Sequence, residues 1–407
     1  MKITVVADCH LNRILYKGVM DEEFPEMSFR TADYLRAFRF IIDDSINNIK
    51  PDLLVVVGDI YDTYAPANDV RSFFYEQISR LKEAKIPVVL LVGNHDICRK
   101  HNALQPLKAL NIKSVMVVEE PKAINFKDHV LLFFPHSSEV EKNNLSMRDE
   151  FLKFVEKTKD QIKDKDKTFF FGHFGVQSAT LKVYEQDGKK KSFKNSNSNS
   201  ISLEDLDSIG ASYVFLGDYH HHHLLNTEKC ISMYTGSIEK SDVSEKDDKK
   251  GYVIYDDSKP FDKKMGYCEF IEYTGCRPIV ELKGKAEDIK VQMSKLNKVD
   301  GGIFKIKFEG SNKDLVDFSI ALPEIKEELY SRYKAQYIFD EQNVINQEQK
   351  EEAEKIKLEI EEQGQIDESD VLKIIHGMID EDGLEKEEKE TLKNEARSIF
   401  KEALGGQ

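Results

Sequence analysis

Residues 88–96 read Val-Val-Leu-Leu-Val-Gly-Asn-His-Asp, an apolar run of strand length that ends in a glycine and three polar side chains. The glycine permits a tight turn, Asn94 offers a neutral oxygen ligand, and His95 beside Asp96 makes an oriented acid or cation. A polar surface turn would account for this stretch if it stood alone. The arrangement recurs at four other places, however, which a surface turn does not explain.

Four further apolar runs end in side chains that commonly bind metal ions. These ends carry Asp8 and His10, Gly58-Asp59, Gly172-His173, and Gly217-Asp218-Tyr219-His220. Because the carboxyl ends of the strands in an open α/β sheet meet at one edge, we expect these side chains to converge there. The sequence therefore predicts a phosphoesterase that holds a pair of divalent cations. The predicted ligands are Asp8, His10, Asp59, Asn94, His173, Asp218 and His220.

Strand-like and helix-like patterns alternate as far as about residue 275. Apolar residues at helical spacing predict helices at Thr31–Asn48, Asp69–Ala84 and Met147–Ile162. The strand runs are apolar throughout, which is typical of sheets buried on both faces and so of an α/β sandwich. The stretch from Lys189 to Ser202 has no periodicity and is predicted to be a loop.

Two smaller regions follow the sandwich. A βαβα pattern over residues 276–345 predicts a small α+β cap domain, with its second helix near Leu322–Tyr333. Residues 346–407 predict a helical tail, because charged helix formers dominate there. The tail carries two apolar stripes, one of Val371, Ile374, Ile375, Met378 and Ile379, the other of Leu392, Ala396, Ile399, Phe400 and Leu404. Amphipathic helices without a domain around them need a partner surface.

Composition indicates a globular protein of a reducing compartment. The chain has 407 residues, of which 40% are hydrophobic, and no apolar stretch approaches the roughly 20 residues of a membrane span. Residues 1–8 run into a strand pattern rather than a leader, and the five cysteines form no CxxC pair. We expect a cytoplasmic protein, or one of the host cytoplasm or nucleoid if its source is a virus.

The net charge of −15 argues against a nucleic-acid partner, because binding to phosphates depends mainly on lysine and arginine. The charge is unevenly distributed, however. The segment from Glu348 onward contains 19 acidic and 9 basic residues, a net charge of −10. The rest of the chain is close to neutral and can still present a local basic surface.

The ordered series of motifs resembles that of the calcineurin-like metallophosphoesterases, which are four-layer αββα sandwiches. The segment Tyr234–Asp242, which contains Tyr-Thr-Gly-Ser, is similar to the Tyr-x-Gly-Ser segment of SbcD nucleases and their meiotic-recombination counterparts. Those nucleases also continue into a cap and a helical tail. The resemblance implies a nuclease domain at residues 1–275, a DNA-contacting cap at 276–345 and an ATPase-binding tail at 346–407.

The resemblance also implies roles within the site. Asp8, His10 and His220 would hold one cation, Asn94, His173 and Asp218 the other, and Asp59 would bridge the two. His95 would be catalytic, stabilising the transition state or assisting the leaving oxygen, and Asp96 would orient it. Two cations held in this way clamp the attacking and leaving oxygens of an in-line displacement. The extra carboxylate of Asp218 favours Mn²⁺ or Mg²⁺ over softer metals.

Two positions depart from the family pattern. Relatives commonly have a histidine at the position of Asp218, so a register that uses His221 and His223 is one alternative. A second alternative is that Asp218 only hydrogen-bonds a neighbouring ligand. Asp62 stands where some relatives have a histidine that helps in nucleolysis, and its role is open.

The resemblance implies a manganese-dependent DNA nuclease subunit of an SbcCD-like repair and recombination complex, a double-strand exonuclease and single-strand endonuclease. Its partners would be DNA, an SMC-like coiled-coil ATPase of the SbcC type and a second copy of the chain. DNA phosphates would contact Lys189, Lys190 and Lys191, and the ATPase would contact Ile375, Ile379, Leu392 and Phe400. The alternatives are a phosphodiesterase or phosphatase of small phosphoesters and a weakly active scaffold subunit.

Overall fold

The chain folds into several sheets and helices in a computed structural model that describes residues 1–15, 19–98, 101–136, 146–177, 180–186, 189–194 and 200–344. The strands are β1 (Lys2–Val6), β2 (Leu53–Val57), β3 (Val88–Leu91), β4 (Ile97–Cys98), β5 (His101–Asn102), β6 (Val115–Val118), β7 (Lys122–Phe126), β8 (His129–Phe134), β9 (Thr168–His173), β10 (Thr180–Gln186), β11 (Lys189–Lys194), β12 (Tyr213–Gly217), β13 (His223–Leu224), β14 (Ile231–Tyr234), β15 (Gly251–Asp256), β16 (Cys268–Glu272), β17 (Ile279–Gly284), β18 (Ile303–Gly310) and β19 (Tyr337–Val344). The helices are α1 (Phe29–Asp44), α2 (Asn68–Glu83), α3 (Gln105–Ala109), α4 (Met147–Thr158), α5 (Leu203–Asp207), α6 (Ala286–Ser294) and α7 (Asn312–Tyr333). The strands and helices predicted within the first 275 residues are confirmed, with ends that shift by a few residues.

Two six-stranded sheets form the centre of the fold. The first has the order β16-β15-β1-β2-β3-β6, in which β1, β2, β3 and β6 run parallel. The second has the order β13-β14-β12-β9-β8-β7, in which β14, β12, β9 and β8 run parallel. In each sheet the register places the ends of the parallel strands side by side, and Gly217 lies opposite His173. The predicted ligand positions therefore follow neighbouring strand ends.

Buried side chains join these sheets and helices into four layers. Val5 of the first sheet and Phe171 of the second belong to one buried cluster between the sheets. Phe38 of α1 and Phe74 of α2 pack on the outer face of the first sheet. Phe151 of α4 packs on the outer face of the second. The predicted αββα sandwich is confirmed.

A hairpin occupies part of the region that the sequence predicts to be a loop. Strand β11 pairs antiparallel with β10, and Gln186 lies opposite Lys189. The loop prediction is wrong for Lys189–Lys194, because backbone pairing between two strands does not require apolar side chains on both faces. The dipeptide Asp187-Gly188, which is typical of two-residue hairpin turns, is the sequence signal for this pairing.

The cap region has the predicted α+β composition. Strands β17, β18 and β19 form a three-stranded sheet in that order. Helix α7 begins ten residues before the predicted start at Leu322. It begins there because Ser311 and Asp314 form a reciprocal capping box, in which each side chain accepts a hydrogen bond from the other residue's backbone N–H.

The chain divides into two compact units. The first comprises residues 1–282, 291–306 and 324–340, and the second comprises 283–290, 307–323 and 341–407, of which 341–344 are described. None of the helices in the described residues combines the length and the hydrophobicity that a membrane span requires. The tail positions Ile375, Ile379, Leu392 and Phe400 lie outside the described residues, and the predicted domain boundaries stay predictions.

Candidate metal centre

The polar side chains at the strand ends lie together within the first unit. In the part of the chain that the structure describes, three groups of potential ligands have ligand atoms within 4.8 Å of one another: Asp8, His10 and His220; Asp8, Asp59 and His173; and His10, Asp59 and His95. His10 Nε2 lies 2.9 Å from His220 Nε2. His173 Nε2 lies 2.9 Å from Asn94 Oδ1 and 3.4 Å from Asp59 Oδ1. We call the space that these side chains surround the cradle.

The chemistry of the cradle fits divalent cations. Asp8 is fully buried, and its Oδ2 has no hydrogen-bond partner among the described residues. The facing Nε2 atoms of His10 and His220 are so close that two lone pairs would repel unless a proton or a cation lies between them. Carboxylate, imidazole and amide donors together suit first-row divalent metals. The residues present therefore fit the pair of cations that the sequence predicts.

Three histidines of the cradle have a hydrogen-bond partner at the Nδ1 atom. His173 Nδ1 donates to the carbonyl of Val57 at 2.9 Å, and His95 Nδ1 donates to the carbonyl of Asp62 at 3.0 Å. His220 Nδ1 lies 2.9 Å from Glu245 Oε1. Such contacts fix the tautomer and leave Nε2 for a cation or a substrate.

Glu245 is a residue of the site that sequence reasoning missed. It lies in a short turn, 25 residues after His220, and no motif marks it. Its Oε2 accepts from the backbone N–H of Ser241 at 2.8 Å and pairs with Lys250 Nζ at 2.8 Å. The Lys250 side chain is completely buried and also donates to the carbonyl of His220 at 2.9 Å. Glu245 and Lys250 therefore hold the His220 ring and its backbone from behind.

Asp96 has different partners from the one that the sequence predicts. Its carboxylate accepts backbone N–H groups from Gly93 at 3.0 Å, Tyr61 at 2.9 Å and Ile60 at 3.2 Å. The prediction that Asp96 orients the His95 ring is wrong, because the Asp62 carbonyl binds that ring nitrogen. A buried carboxylate is best placed where several backbone donors can satisfy it, and Asp96 joins the turns after two neighbouring strands in this way.

Asp218 lies at the edge of the cradle. Its backbone N–H donates to Asp8 Oδ1 at 3.0 Å, and burial raises the pKa of its carboxyl group. The histidines that follow His220 have other contacts: His221 Nδ1 lies 3.0 Å from Asp248, His222 Nδ1 donates to the Tyr234 carbonyl, and His223 Nδ1 donates to the His221 carbonyl. None of these three belongs to the ligand groups found among the described residues. The assignment of Asp218 as a ligand stays a prediction.

Glycines make room for the cradle. A Cβ atom on Gly58, whose φ is +80°, would lie 2.1 Å from His173 Nδ1. A Cβ atom on Gly93 would lie 2.2 Å from Asp59 Oδ1. These glycines therefore leave space for ligand side chains as well as permitting turns.

Several predicted ligands also have left-handed backbone conformations. The φ angles are 51° at Asp8, 42° at His10, 50° at Asp59 and 100° at Asp218. Residues other than glycine avoid this region unless the surrounding structure holds them there, and such positions cluster at functional sites. The backbone thus supports the placement of the ligands at a local energetic cost.

Burial and neighbouring charges set the protonation of the cradle. Burial raises the pKa of Asp8 to about 6 and lowers that of His10 to about 4. Burial alone would raise the pKa of Asp59, but His173, His10 and His95 outweigh it and hold that pKa below its ordinary value. At neutral pH the neutral His10 and the ionised Asp59 have the forms that bind cations.

The predicted DNA-binding lysines lie elsewhere in the chain. Lys189, Lys190 and Lys191 begin β11, opposite Gln186, Glu185 and Tyr184. Their role in binding DNA stays a prediction. The sequence shows three consecutive lysines. It does not show that they lie on a strand, because that depends on their pairing with β10.

Comparison with known proteins identifies the family. The sequence profile of the calcineurin-like phosphoesterases matches residues 1–222. A Staphylococcus epidermidis protein that is named as the SbcD component of the nuclease SbcCD is 25% identical over 300 residues, which cover 71% of this chain and 74% of that protein. A protein of the same name from Staphylococcus saprophyticus is 25% identical over 324 residues, covering 75% and 78%. A solved archaeal phosphodiesterase aligns with a TM-score of 0.31 at 11% identity, over 67% of this chain and 100% of that one. The chain belongs to the calcineurin-like phosphoesterase family.

Proposed function

We propose that this chain is the nuclease subunit of a DNA end-processing complex, a Mn²⁺-dependent phosphodiesterase with double-strand exonuclease and single-strand endonuclease activity. The observation that carries the proposal is the cradle, in which Asp8, His10 and His220 come together beside Asp59 and His173. Two relatives that share about three quarters of their length with this chain are named as nuclease subunits. They support DNA as the substrate.

The residues of the cradle suit hydrolysis of a phosphodiester. Bound cations would neutralise the phosphate and activate a water molecule for attack on phosphorus. Asp59 belongs to two of the ligand groups, and despite its burial the neighbouring histidines hold its pKa below the ordinary value, so its carboxylate would bridge the two cations. His95 is fixed by the Asp62 carbonyl, which leaves its Nε2 for the substrate. A protonated His95 would donate to a phosphate oxygen and pass its proton to the leaving oxygen as the P–O bond breaks.

The proposed complex contains DNA, an SMC-like ATPase of the SbcC type and a second copy of this chain, in the cytoplasm. The relatives are named as parts of SbcCD, which supports the ATPase as a partner. In this proposal the apolar stripes of the tail bind the ATPase, and Lys189, Lys190 and Lys191 bind DNA phosphates. The cap at residues 276–345 contacts the duplex.

The experiment compares two substrates and four proteins. Purified full-length protein is incubated with Mn²⁺ and either an end-labelled duplex or bis-p-nitrophenyl phosphate. The proteins are the wild type, His95→Ala, Asp218→Ala and His221→Ala. We expect the wild type to degrade DNA, and we expect His95→Ala to lose about 10²- to 10⁴-fold in rate, the range of a lost acid–base group. His221→Ala is the matched control in the same histidine run and should retain activity.

The outcomes separate the possible functions. Cleavage of the small ester without degradation of DNA would indicate a phosphodiesterase of small phosphoesters. A protein that binds Mn²⁺ and cleaves neither substrate would be a scaffold subunit. Full activity of Asp218→Ala together with loss in His221→Ala would show that the ligand register is shifted.

A further inference from the structure

Asp62 contacts two histidines of the cradle through different atoms. Its Oδ1 lies 3.1 Å from His10 Nδ1 and 2.6 Å from Arg13 Nη1. Its backbone carbonyl accepts the Nδ1–H of His95 at 3.0 Å. The His10 ring N–H is not well aligned with Oδ1. Contacts of this kind often tighten only when the site is occupied.

The backbone places Asp62 firmly behind His10. Beyond the ends of β1 and β2, the two chain segments continue to pair. Asp8 N–H donates to the Gly58 carbonyl, and His10 N–H donates to the Asp59 carbonyl. Leu11 then accepts the N–H of Asp62 at 2.9 Å. This continued pairing fixes the distance between the carboxylate of Asp62 and the ring of His10.

The surroundings of His10 and His220 match each other. Behind His220 stands Glu245, which is paired with the buried Lys250. Behind His10 stands Asp62, which is paired with Arg13. In both cases a carboxylate faces Nδ1, and a basic side chain, Lys250 or Arg13, neutralises that carboxylate. The two Nε2 atoms meet at 2.9 Å on the other side.

We propose that Asp62 is a positioning residue for the cation held by Asp8, His10 and His220, acting through His10 as Glu245 acts through His220. The inference rests on the cation pair of the proposed function. A carboxylate behind a histidine ligand fixes the tautomer and makes the ligand more basic, and its loss typically weakens metal binding by about 10- to 100-fold. Arg13 offsets the charge of this half-buried carboxylate.

The test measures Mn²⁺ affinity of the metal-free, full-length protein by titration calorimetry and by the EPR signal of free Mn²⁺. Asp62→Ala should weaken Mn²⁺ binding at one of the two sites by about 10- to 100-fold. Asp62→Asn retains an oxygen that can accept from His10 and should recover most of that loss. The contact to His95 uses the main chain and is retained in both variants, so the readout of this test is Mn²⁺ affinity rather than activity.

Two control variants distinguish a loss of ligand positioning from a general effect on folding. Asp43→Ala removes a carboxylate from another aspartate–arginine pair, with Arg80, near the surface at the end of α1. It should leave Mn²⁺ affinity unchanged. Arg13→Gln retains the carboxylate and should bind Mn²⁺ as tightly as the wild type or more tightly. Wild-type affinity in Asp62→Ala, or equal losses in Asp62→Ala and Arg13→Gln, would overturn the proposal. A wild-type protein that binds Mn²⁺ but cuts no DNA would overturn the nuclease assignment alone.

Discussion

The cradle depends on the absence of side chains at the glycines before its ligands. Gly58 has a left-handed φ of +80°, and a Cβ atom there would lie 2.1 Å from His173 Nδ1. The ring of His173 contacts the Val57 carbonyl through Nδ1 and Asn94 through Nε2, and these two contacts fix its orientation. An added methyl group at Gly58 must displace the ligand or the strand end.

Gly58→Ala is therefore expected to lose Mn²⁺ binding at the ligand group of His173, together with hydrolysis of bis-p-nitrophenyl phosphate. Gly210→Ala is the matched control. Its φ of +78° is almost the same, but its Cβ would lie 3.5 Å from the nearest atom, on Ile162. Both variants carry a backbone strain of roughly 1–2 kcal/mol, which thermal unfolding measures. Equal activity in the two variants would contradict the steric explanation.

The protonation of Asp8 gives the metal site a pH dependence. Burial raises the pKa of Asp8 to about 6, whereas a cation requires the carboxylate form. Protons therefore compete with Mn²⁺ below pH 6, and the apparent affinity should rise by up to about tenfold per pH unit between pH 5 and 6 for this one proton. Calorimetric titration at several pH values measures the slope, and Asp8→Asn should make it shallower, while protons on His173 and His220 still compete with the cation. An affinity independent of pH over this range would contradict the prediction.

Single residues also show how far the site could be predicted from the sequence. Asp8 and His173 could be found because each follows a recognisable strand and the ends of parallel strands meet. Glu245 could not, because its contact with His220 depends on the path of a turn that no local pattern specifies. Asp96 was predicted to orient His95, but its choice of backbone donors over that ring depends on distances that only the folded chain defines.

At the scale of elements, the segment Tyr234–Asp242 connects helix α1 with the cradle. The fully buried Arg30 of α1 pairs with Asp33 at 2.7 Å and donates to the Lys240 carbonyl. Glu239 is also fully buried, 3.9 Å from Arg30, and burial raises its pKa to about 7. The next residue after Lys240 donates its N–H to Glu245, which holds His220. In the sequence this segment was notable only for its resemblance to SbcD nucleases. In the structure its contacts connect Arg30 of α1 with Glu245, which holds His220.

Arg30→Met should destabilise the protein strongly, because it removes the cationic side chain nearest the fully buried Glu239, whereas Asp33 retains its pair with Arg277. We expect a decrease of about 3–5 kcal/mol in the free energy of unfolding, measured in urea. Arg39→Met is the control on the same helix. It removes a pair with Glu23 in which both side chains are about 40% exposed, and it should cost less than about 1 kcal/mol. Similar losses in both variants would show that the buried network contributes no more than a surface pair.

The elements themselves were predictable to different degrees. Strands such as Leu53–Val57 were evident because they are apolar throughout and buried on both faces. The hairpin of β10 and β11 was missed because it has no apolar run, and the dipeptide Asp187-Gly188 between its strands is a weaker signal than a buried strand. The first turns of α7 depend on the cap at Ser311, a short-range signal that hydrophobic spacing does not register.

At the scale of the whole molecule, the tail differs from the rest of the chain in its net charge. The segment from Glu348 onward carries −10 of the net charge of −15, and it also contains the two apolar stripes. If the stripes bind the ATPase, charges placed on them should abolish association without changing the cradle. Full-length protein carrying Ile375→Asp and Phe400→Asp should fail to co-elute with an SbcC-type ATPase in size-exclusion chromatography. It should still cleave bis-p-nitrophenyl phosphate at the wild-type rate.

The control for this experiment places the same charge beside a stripe rather than on it. Thr391→Asp adjoins Leu392 in sequence and should leave association intact. Retained binding by the double variant, or loss of binding by Thr391→Asp, would contradict the proposed role of the stripes.

The cradle is divided between the two sheets of the sandwich. Asp8 and Asp59 follow strands of the first sheet, and His173 ends a strand of the second. A cation can therefore be bound tightly only after both sheets have folded and met, so its binding energy is added to the native state alone. At a free metal concentration 100 times the Kd, this linkage amounts to about 2.7 kcal/mol. The Mn²⁺ concentration in a cell would then set the resistance of the protein to proteolysis as well as its rate of hydrolysis.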